Sequence, residues 1–139
     1  MLLGAVLAVA AVGSAQASAA AKPAAVVRAW SAALNANDNE HAARLFAKNA
    51  RVVQPGVDAR LVSHALAVAF NSSLPCAGKI VALTVKGRGV VATFILGQRP
   101  KHRCDAPGSK AAALFILDKQ GKIAIWQQVA VPVDKSPTA

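Results

Sequence analysis

The chain has 139 residues and a formal net charge of +10, with 16 Lys and Arg residues against 6 Asp and Glu residues. This length and composition favour one compact domain and exclude a larger architecture. Nucleic-acid binding by base stacking would need aromatic side chains beside the positive charges, but the chain has 2 tryptophans, 4 phenylalanines and no tyrosine. We therefore expect no nucleic-acid partner, and only weak attraction to an anionic cell envelope.

Residues 1–19 (MLLGAVLAVAAVGSAQASA) carry no charged side chain and consist of an apolar core followed by small residues. Ala15-Gln16-Ala17 and Ala17-Ser18-Ala19 each give the small-x-small pattern that a signal peptidase recognises. An uncleaved membrane anchor is the alternative, but the apolar run is shorter than the roughly 20 residues of a membrane span. Residues 1–19 are therefore predicted to be a cleaved signal peptide, and the mature protein to be secreted or to lie in the cell envelope or periplasm.

Two short helices are predicted next, because apolar residues recur at helical spacing on both sides of a break. These residues are Val26, Val27, Trp30, Ala33 and Leu34, and then Ala42, Ala43, Leu45 and Phe46. Asp38 lies in the break, where a carboxylate can accept backbone N–H groups of the first turn and its charge suits that end of the helix. Asp38 is therefore predicted to be the N-cap of the second helix.

Two hairpins are predicted in the second half of the chain. Residues 79–86 and 90–97 are rich in β-branched residues and are joined by Gly87-Arg88-Gly89, which is typical of a hairpin turn. Residues 111–117 and 122–131 form the second pair, with a turn at 118–121.

Cys76 precedes the first hairpin strand and Cys104 follows the second, so the two cysteines are expected to lie side by side. A disulfide between them is predicted, and oxidation is the expected state in an exported protein. The three histidines show no paired spacing with the cysteines, so no metal site is predicted. Gly87 and Gly89 join two strands and precede no helix, so no phosphate-binding loop and no cofactor is predicted.

The densest basic cluster, Arg99, Lys101, His102 and Arg103, lies in one predicted loop beside Cys104. We interpret these side chains, like the other positive charges, as solubilising surface charge.

Residues 24–56 contain ALNAND, a run ending in LF, an alanine, a short strand and Pro-Gly. This pattern resembles the SnoaL-like or NTF2-like superfamily, whose relatives include ketosteroid isomerases. The resemblance implies an α+β fold in which N-terminal helices lie across a strongly curved antiparallel sheet, forming a cone with an apolar pocket at its mouth. The domain is expected to span residues 20–132, and residues 133–139 to form a flexible tail.

The resemblance also implies where the isomerase relatives carry their catalytic groups. Their tyrosine on the first helix corresponds to Trp30, their aspartate base before the proline corresponds to Gln54, and their protonated carboxylic acid corresponds to Ala113. An indole cannot act as a phenol, and an amide cannot take a proton at neutral pH. An isomerase mechanism of that type is therefore not expected.

Candidate ligand-pocket residues share an inward orientation in the register that the resemblance implies. They are Trp30, Gln54, Phe94, Ala113, Phe115, Trp126 and Gln128. Together they would form an apolar cavity with two amides and two indoles, suited to a neutral, partly apolar molecule. The alternative is that the same residues only fill the core.

Two functions stay open. The favoured one is an exported, disulfide-stapled domain that binds a small apolar ligand or partner without catalysis. The alternative is an enzyme of the isomerase, cyclase, dehydratase or hydrolase type that uses Gln54 and water, or His64, in place of the aspartate. His64 has no carboxylate nearby in sequence to support acid-base work. The resemblance also implies a possible homodimer through the outer face of the sheet.

Overall fold

The computed structural model describes residues 22–133, which contain three helices and six strands. The helices are α1 (Pro23–Asn35), α2 (Asn39–Arg44) and α3 (His64–Ser73). The strands are β1 (Phe46–Gln54), β2 (Val57–Leu61), β3 (Cys76–Lys86), β4 (Gly89–Gln98), β5 (Lys110–Leu117) and β6 (Ile123–Val129). The predicted signal peptide lies outside the described residues, as does the predicted tail apart from Val133.

The six strands form one open, curved sheet in the order β2-β1-β6-β5-β4-β3. Neighbouring strands are antiparallel except β1 and β6, which run parallel. The prediction of an antiparallel sheet is therefore wrong for this one pair. Strand β6, the second strand of the β5–β6 hairpin, lies beside β1 and runs in the same direction as β1. Register shifts in β3, β5–β6 and β1–β6 bend the sheet locally. The predicted α+β architecture, with helices packed against a curved sheet, is confirmed.

Both predicted hairpins are confirmed. Lys86 pairs with Gly89, so β3 and β4 are joined by a two-residue turn in which Gly87 has a φ of 58°, a conformation that glycine adopts without strain. The turn between β5 and β6 is closed by the Asp118 side chain, which accepts hydrogen bonds from the backbone N–H groups of Gln120 and Lys122, both at 2.9 Å.

The predicted cap of the second helix is also confirmed, since Asp38 Oδ1 accepts a hydrogen bond from the His41 backbone N–H at 3.0 Å. The predicted extent of that helix is wrong, because α2 ends at Arg44 and Phe46 begins β1. The Leu45 carbonyl accepts a hydrogen bond from the Ile123 N–H, so the chain joins the sheet there instead of continuing the helix.

Strand β2 was not among the predicted elements. Its five residues do alternate between apolar and polar side chains, as in a half-buried strand, but the run is short and four of the five residues are exposed. Arg51 of β1 pairs with Asp58 of β2 through two hydrogen bonds, of 2.9 and 2.6 Å. These hydrogen bonds hold the pKa of the Asp58 carboxyl below its ordinary value and raise the pKa of Arg51.

The core lies between α1 and the concave face of the sheet, and it contains one connected cluster of aromatic rings. Trp30 of α1 is at its centre, with ring centroids 5.2 Å from Phe115, 6.1 Å from Phe94 and 6.3 Å from Trp126. Phe70 links Trp126 to Phe46. All the aromatic residues of the chain belong to this cluster. No helix within residues 22–133 is long and apolar enough to cross a membrane.

Candidate functional site

A cavity of about 180 Å³ lies between α1, the segment that follows α3, and the concave face of the sheet. Six of the seven predicted pocket residues line it: Trp30, Gln54, Phe94, Ala113, Trp126 and Gln128. The seventh, Phe115, does not. It lies on β5 two residues after Ala113, as the register partner of Trp126, and is fully buried against the Trp30 ring. Phe115 is therefore a core residue that supports the floor of the site.

One wall of the cavity was missed by the sequence analysis. It is formed by the extended segment from Leu74 to Gly78, which leads from α3 into β3. Asn35 at the end of α1 holds this segment in place, because its side chain donates to the Gly78 carbonyl at 2.8 Å and accepts from the Gly78 N–H at 2.9 Å. No periodicity marks such a segment, since its position depends on contacts with α1 across 43 residues of sequence.

The predicted disulfide is confirmed, and it borders the cavity. Cys76 and Cys104 are bonded with their Cα atoms 4.7 Å apart, and Cys76 is one of the lining residues. The Gln98 side chain reinforces the closure, because its Oε1 accepts from the Cys104 N–H at 3.2 Å. The bridge therefore ties the loop after β4 to the wall of the cavity.

The basic loop beside Cys104 does not consist of surface charges alone, so the interpretation of Arg99 as a solubilising residue is wrong. Its side chain is only 2% exposed. Arg99 Nη1 donates to the carbonyl oxygens of Asn71 at 2.6 Å and Leu74 at 2.7 Å, and Nη2 donates to Asn39 Oδ1. Burial lowers the pKa of the guanidinium from its ordinary value.

His102 extends this arrangement at the C-terminal end of α3. Its ring nitrogens lie 2.8 Å from the Pro100 carbonyl oxygen and 2.7 Å from the Ser72 carbonyl oxygen. The last carbonyls of a helix lack intrahelical partners and form the negative end of its dipole. Arg99 and His102 therefore cap α3 from the disulfide loop, whereas Lys101 and Arg103 are exposed.

Of the two predicted indole donors, that of Trp30 is already engaged. Trp30 Nε1 donates to Asn71 Oδ1 at 2.8 Å, and Asn71 is itself completely buried and donates to the Ala67 carbonyl at 2.8 Å. Trp126 Nε1 is buried and has no hydrogen-bond partner among residues 22–133. Among the other polar side chains that line the cavity, Gln54 and Gln128 contribute amides, and Ser31 contributes a hydroxyl that donates to the Gly78 carbonyl at 3.4 Å.

None of the side chains that line the cavity within the described part of the chain is charged. The lining is mostly apolar, formed by Leu34, Leu96, Phe94 and several alanines. Groups of three or more His, Cys, Asp or Glu residues that could hold a metal ion are also absent from residues 22–133. The site can enclose a small neutral molecule and offer it a few amide hydrogen bonds.

His64 has a carboxylate partner that sequence proximity did not reveal. Its Nε2 lies 2.7 Å from Glu40 Oε2, across the contact between α2 and α3. Both side chains are more than half exposed, at 54% and 62%, and neither lines the cavity. This pair is therefore a surface contact between two helices, away from the candidate site.

No protein-family model matches the chain, and no curated protein matches it significantly. Solved structures do resemble it. An NTF2-like protein of unknown function from Cytophaga hutchinsonii superposes with a TM-score of 0.64 and 14% identity, covering 78% of this chain and 88% of that one. A SnoaL-like protein of unknown function from Burkholderia thailandensis gives a TM-score of 0.61 and 15% identity, covering 79% and 95%.

A third similar structure is a hypothetical protein with a ketosteroid isomerase-like fold from Catenulispora acidiphila, in complex with trimethylamine. It superposes with a TM-score of 0.61 and 17% identity, and the match covers 76% of this chain and 84% of that one. The chain therefore has the NTF2-like cone fold that the sequence analysis expected. At these identities the likeness concerns the fold and not the activity.

Proposed function

We propose that this protein is an exported NTF2-like domain that binds a small, neutral, mostly apolar molecule in its cone cavity without transforming it. The cavity carries the proposal: it is apolar, it measures about 180 Å³, and no charged side chain among residues 22–133 lines it. Acid-base catalysis requires a titratable group within hydrogen-bond reach of the substrate. The isomerase relatives carry titratable groups at three positions, and this chain has Gln54, Trp30 and Ala113 at those positions.

Two further observations support the proposal. The similar protein from Catenulispora acidiphila is in complex with trimethylamine, which matches the proposed ligand in its small size, although this amine is protonated at neutral pH. Export is supported by residues 1–19, whose composition is that of a signal peptide, and by the Cys76–Cys104 bridge, because disulfides persist mainly in oxidising compartments.

Toluene binding to the purified protein, followed by ligand-observed NMR, tests the binding function. Toluene is expected to bind with a Kd on the order of 1 mM or tighter, as suits a ligand of this size. Ala113→Leu places extra atoms in the cavity and should abolish binding. Ala82→Leu makes the same change at an exposed position of β3 and should leave it intact. Equal toluene binding by both variants would show that toluene binds outside this cavity, and no toluene binding to the parent protein would overturn the proposal.

The absence of catalysis and the export are tested separately. Turnover that survives purification and is lost in Gln54→Leu or His64→Ala would contradict a binding role. Native mass spectrometry of the protein from its own host measures both the start of the mature chain and any bound molecule. A mature start near Ala20 is expected, and a protein that retains residues 1–19 would refute cleavage.

A further inference from the structure

The cavity has an apolar interior and an amide-bearing mouth. Trp30, Phe94 and Ala113 lie in the interior and are all at most 7% exposed. Gln128 is exposed and Gln54 is half-buried, so these two side chains mark the open end. A molecule that enters the cavity therefore passes two amides before its leading end meets the aromatic rings.

The two amides lie next to each other because of the one parallel pair in the sheet. Val53 of β1 is the register partner of Gln127 of β6, and both strands continue by one residue to Gln54 and Gln128. In a parallel pair, residues at matching positions point to the same face, here the inner one. Ala113 is the partner of Gln128 on its other side, and its methyl group leaves space next to that amide.

Both amides are available for hydrogen bonding. Neither the Gln54 nor the Gln128 side chain has a hydrogen-bond partner in the part of the chain that the structure describes. Each carboxamide offers two N–H donors and one carbonyl acceptor. The pair can therefore donate to and accept from one ligand group at the same time, which a single indole, a donor only, could not do.

The size of the cavity limits the body of the ligand. An apolar cavity of about 150 Å³ is known to hold benzene, and this cavity of about 180 Å³ is slightly larger. One ring with a small substituent therefore fits. A buried charge would meet no opposite charge among the lining side chains, so an ionised ligand is disfavoured despite the basic surface.

We propose that the ligand is a neutral molecule of single-ring size whose polar head carries both a donor and an acceptor, as a primary amide does. Its head lies between Gln54 and Gln128, and its apolar body lies against Trp30 and Phe94. Gln54 and Gln128 thus determine specificity for the head group. This inference rests on the proposed binding function and adds the chemistry of the ligand to it.

Three probes of similar shape test the inference: toluene, which has no hydrogen-bonding head, benzamide, which has a neutral one, and benzoate, which is anionic. Their Kd values are measured for the parent protein and for Gln54→Leu, Gln128→Leu and Gln127→Leu. Gln127 is the matched control, because it is the same residue type on the opposite face of the same strand.

Gln54→Leu and Gln128→Leu are each expected to weaken benzamide binding by about five- to tenfold, the loss of roughly one net hydrogen bond. They should change toluene binding by less than about twofold, and Gln127→Leu should change neither. Benzoate should bind the parent protein more weakly than benzamide. Thermal unfolding of each variant checks that it is folded, and Gln54→Asn provides a second variant that keeps an amide but shortens its reach.

The outcomes separate this inference from the proposed function. Toluene binding that is lost in Ala113→Leu supports the binding function. If Gln54→Leu and Gln128→Leu then weaken benzamide binding no more than Gln127→Leu does, the head-group inference is wrong and the binding function stands. Benzoate binding as tight as benzamide binding would also overturn the inference. If none of the probes binds, both fail.

Discussion

Replacing Arg99 by methionine tests whether the buried guanidinium caps α3, as its contacts indicate. The substitution keeps an unbranched side chain but removes every donor. The Leu74 carbonyl and the Asn39 side chain then lose the guanidinium, and the Asn71 carbonyl keeps only the long hydrogen bond from the Leu74 N–H, at 3.4 Å. Leaving a buried acceptor unsatisfied costs about 1 to 3 kcal/mol. Release of the desolvated guanidinium offsets part of that loss. The free energy of unfolding should therefore fall by about 2 to 5 kcal/mol, a large share of the stability of a small domain.

Urea unfolding monitored by tryptophan fluorescence measures this change, provided that the m-value is the same in both proteins. Arg103→Met is the matched control, because it removes an exposed arginine from the same loop and should change stability by less than about 0.5 kcal/mol. The loss of stability in Arg99→Lys should lie between the losses in Arg99→Met and Arg103→Met, since one ammonium group cannot reproduce the planar set of donors of a guanidinium. The capping argument is refuted if Arg99→Met is no more costly than Arg103→Met.

Two further predictions concern the disulfide and an ion pair. Removing the bridge in a Cys76→Ser, Cys104→Ser variant should lower the free energy of unfolding by about 3 to 4 kcal/mol, the loop-closure value for a separation of 28 residues, and urea midpoints at equal protein concentration check this. An unchanged midpoint would show that the loop is held without the bridge. Because Arg51 lowers the pKa of Asp58 in the folded state, this pair stabilises the fold above the unfolded pKa of about 3.9 and the contribution disappears as pH falls through the folded pKa. Asp58→Asn should therefore lower the urea midpoint slightly at pH 6 and not at pH 2, and an equal effect at both would contradict the linkage.

Features that depend on neighbouring residues were predictable from the sequence. Asp38 stands directly before a helical period, and Gly87 stands between two β-branched runs, so the cap and the turn follow from local backbone chemistry. The Cys76–Cys104 disulfide was predictable from the hairpin, because a hairpin brings its two ends together regardless of the rest of the fold.

Features with a weak local signal, or none, were missed. Strand β2 has an alternating pattern of only five residues and is mostly exposed, so its place in the fold rests on its pairing with β1. Phe46 continues a helical period, but its place is decided by pairing between β1 and β6. Arg99 looks like its exposed neighbours Lys101 and Arg103, because burial of one arginine in a basic loop depends on where α3 ends in space.

For the candidate site, strand alternation in the register that the family resemblance implies was enough to place Gln54, Ala113 and Gln128 at the cavity, but not the wall from Leu74 to Gly78. Only the tertiary structure decided which of those groups a ligand can reach. Trp30 donates its N–H to Asn71, across 41 residues of sequence, while Gln54 and Gln128 remain available side by side. Alternation is a property of one strand, whereas a hydrogen-bond partner is set by the packing of separate elements against each other.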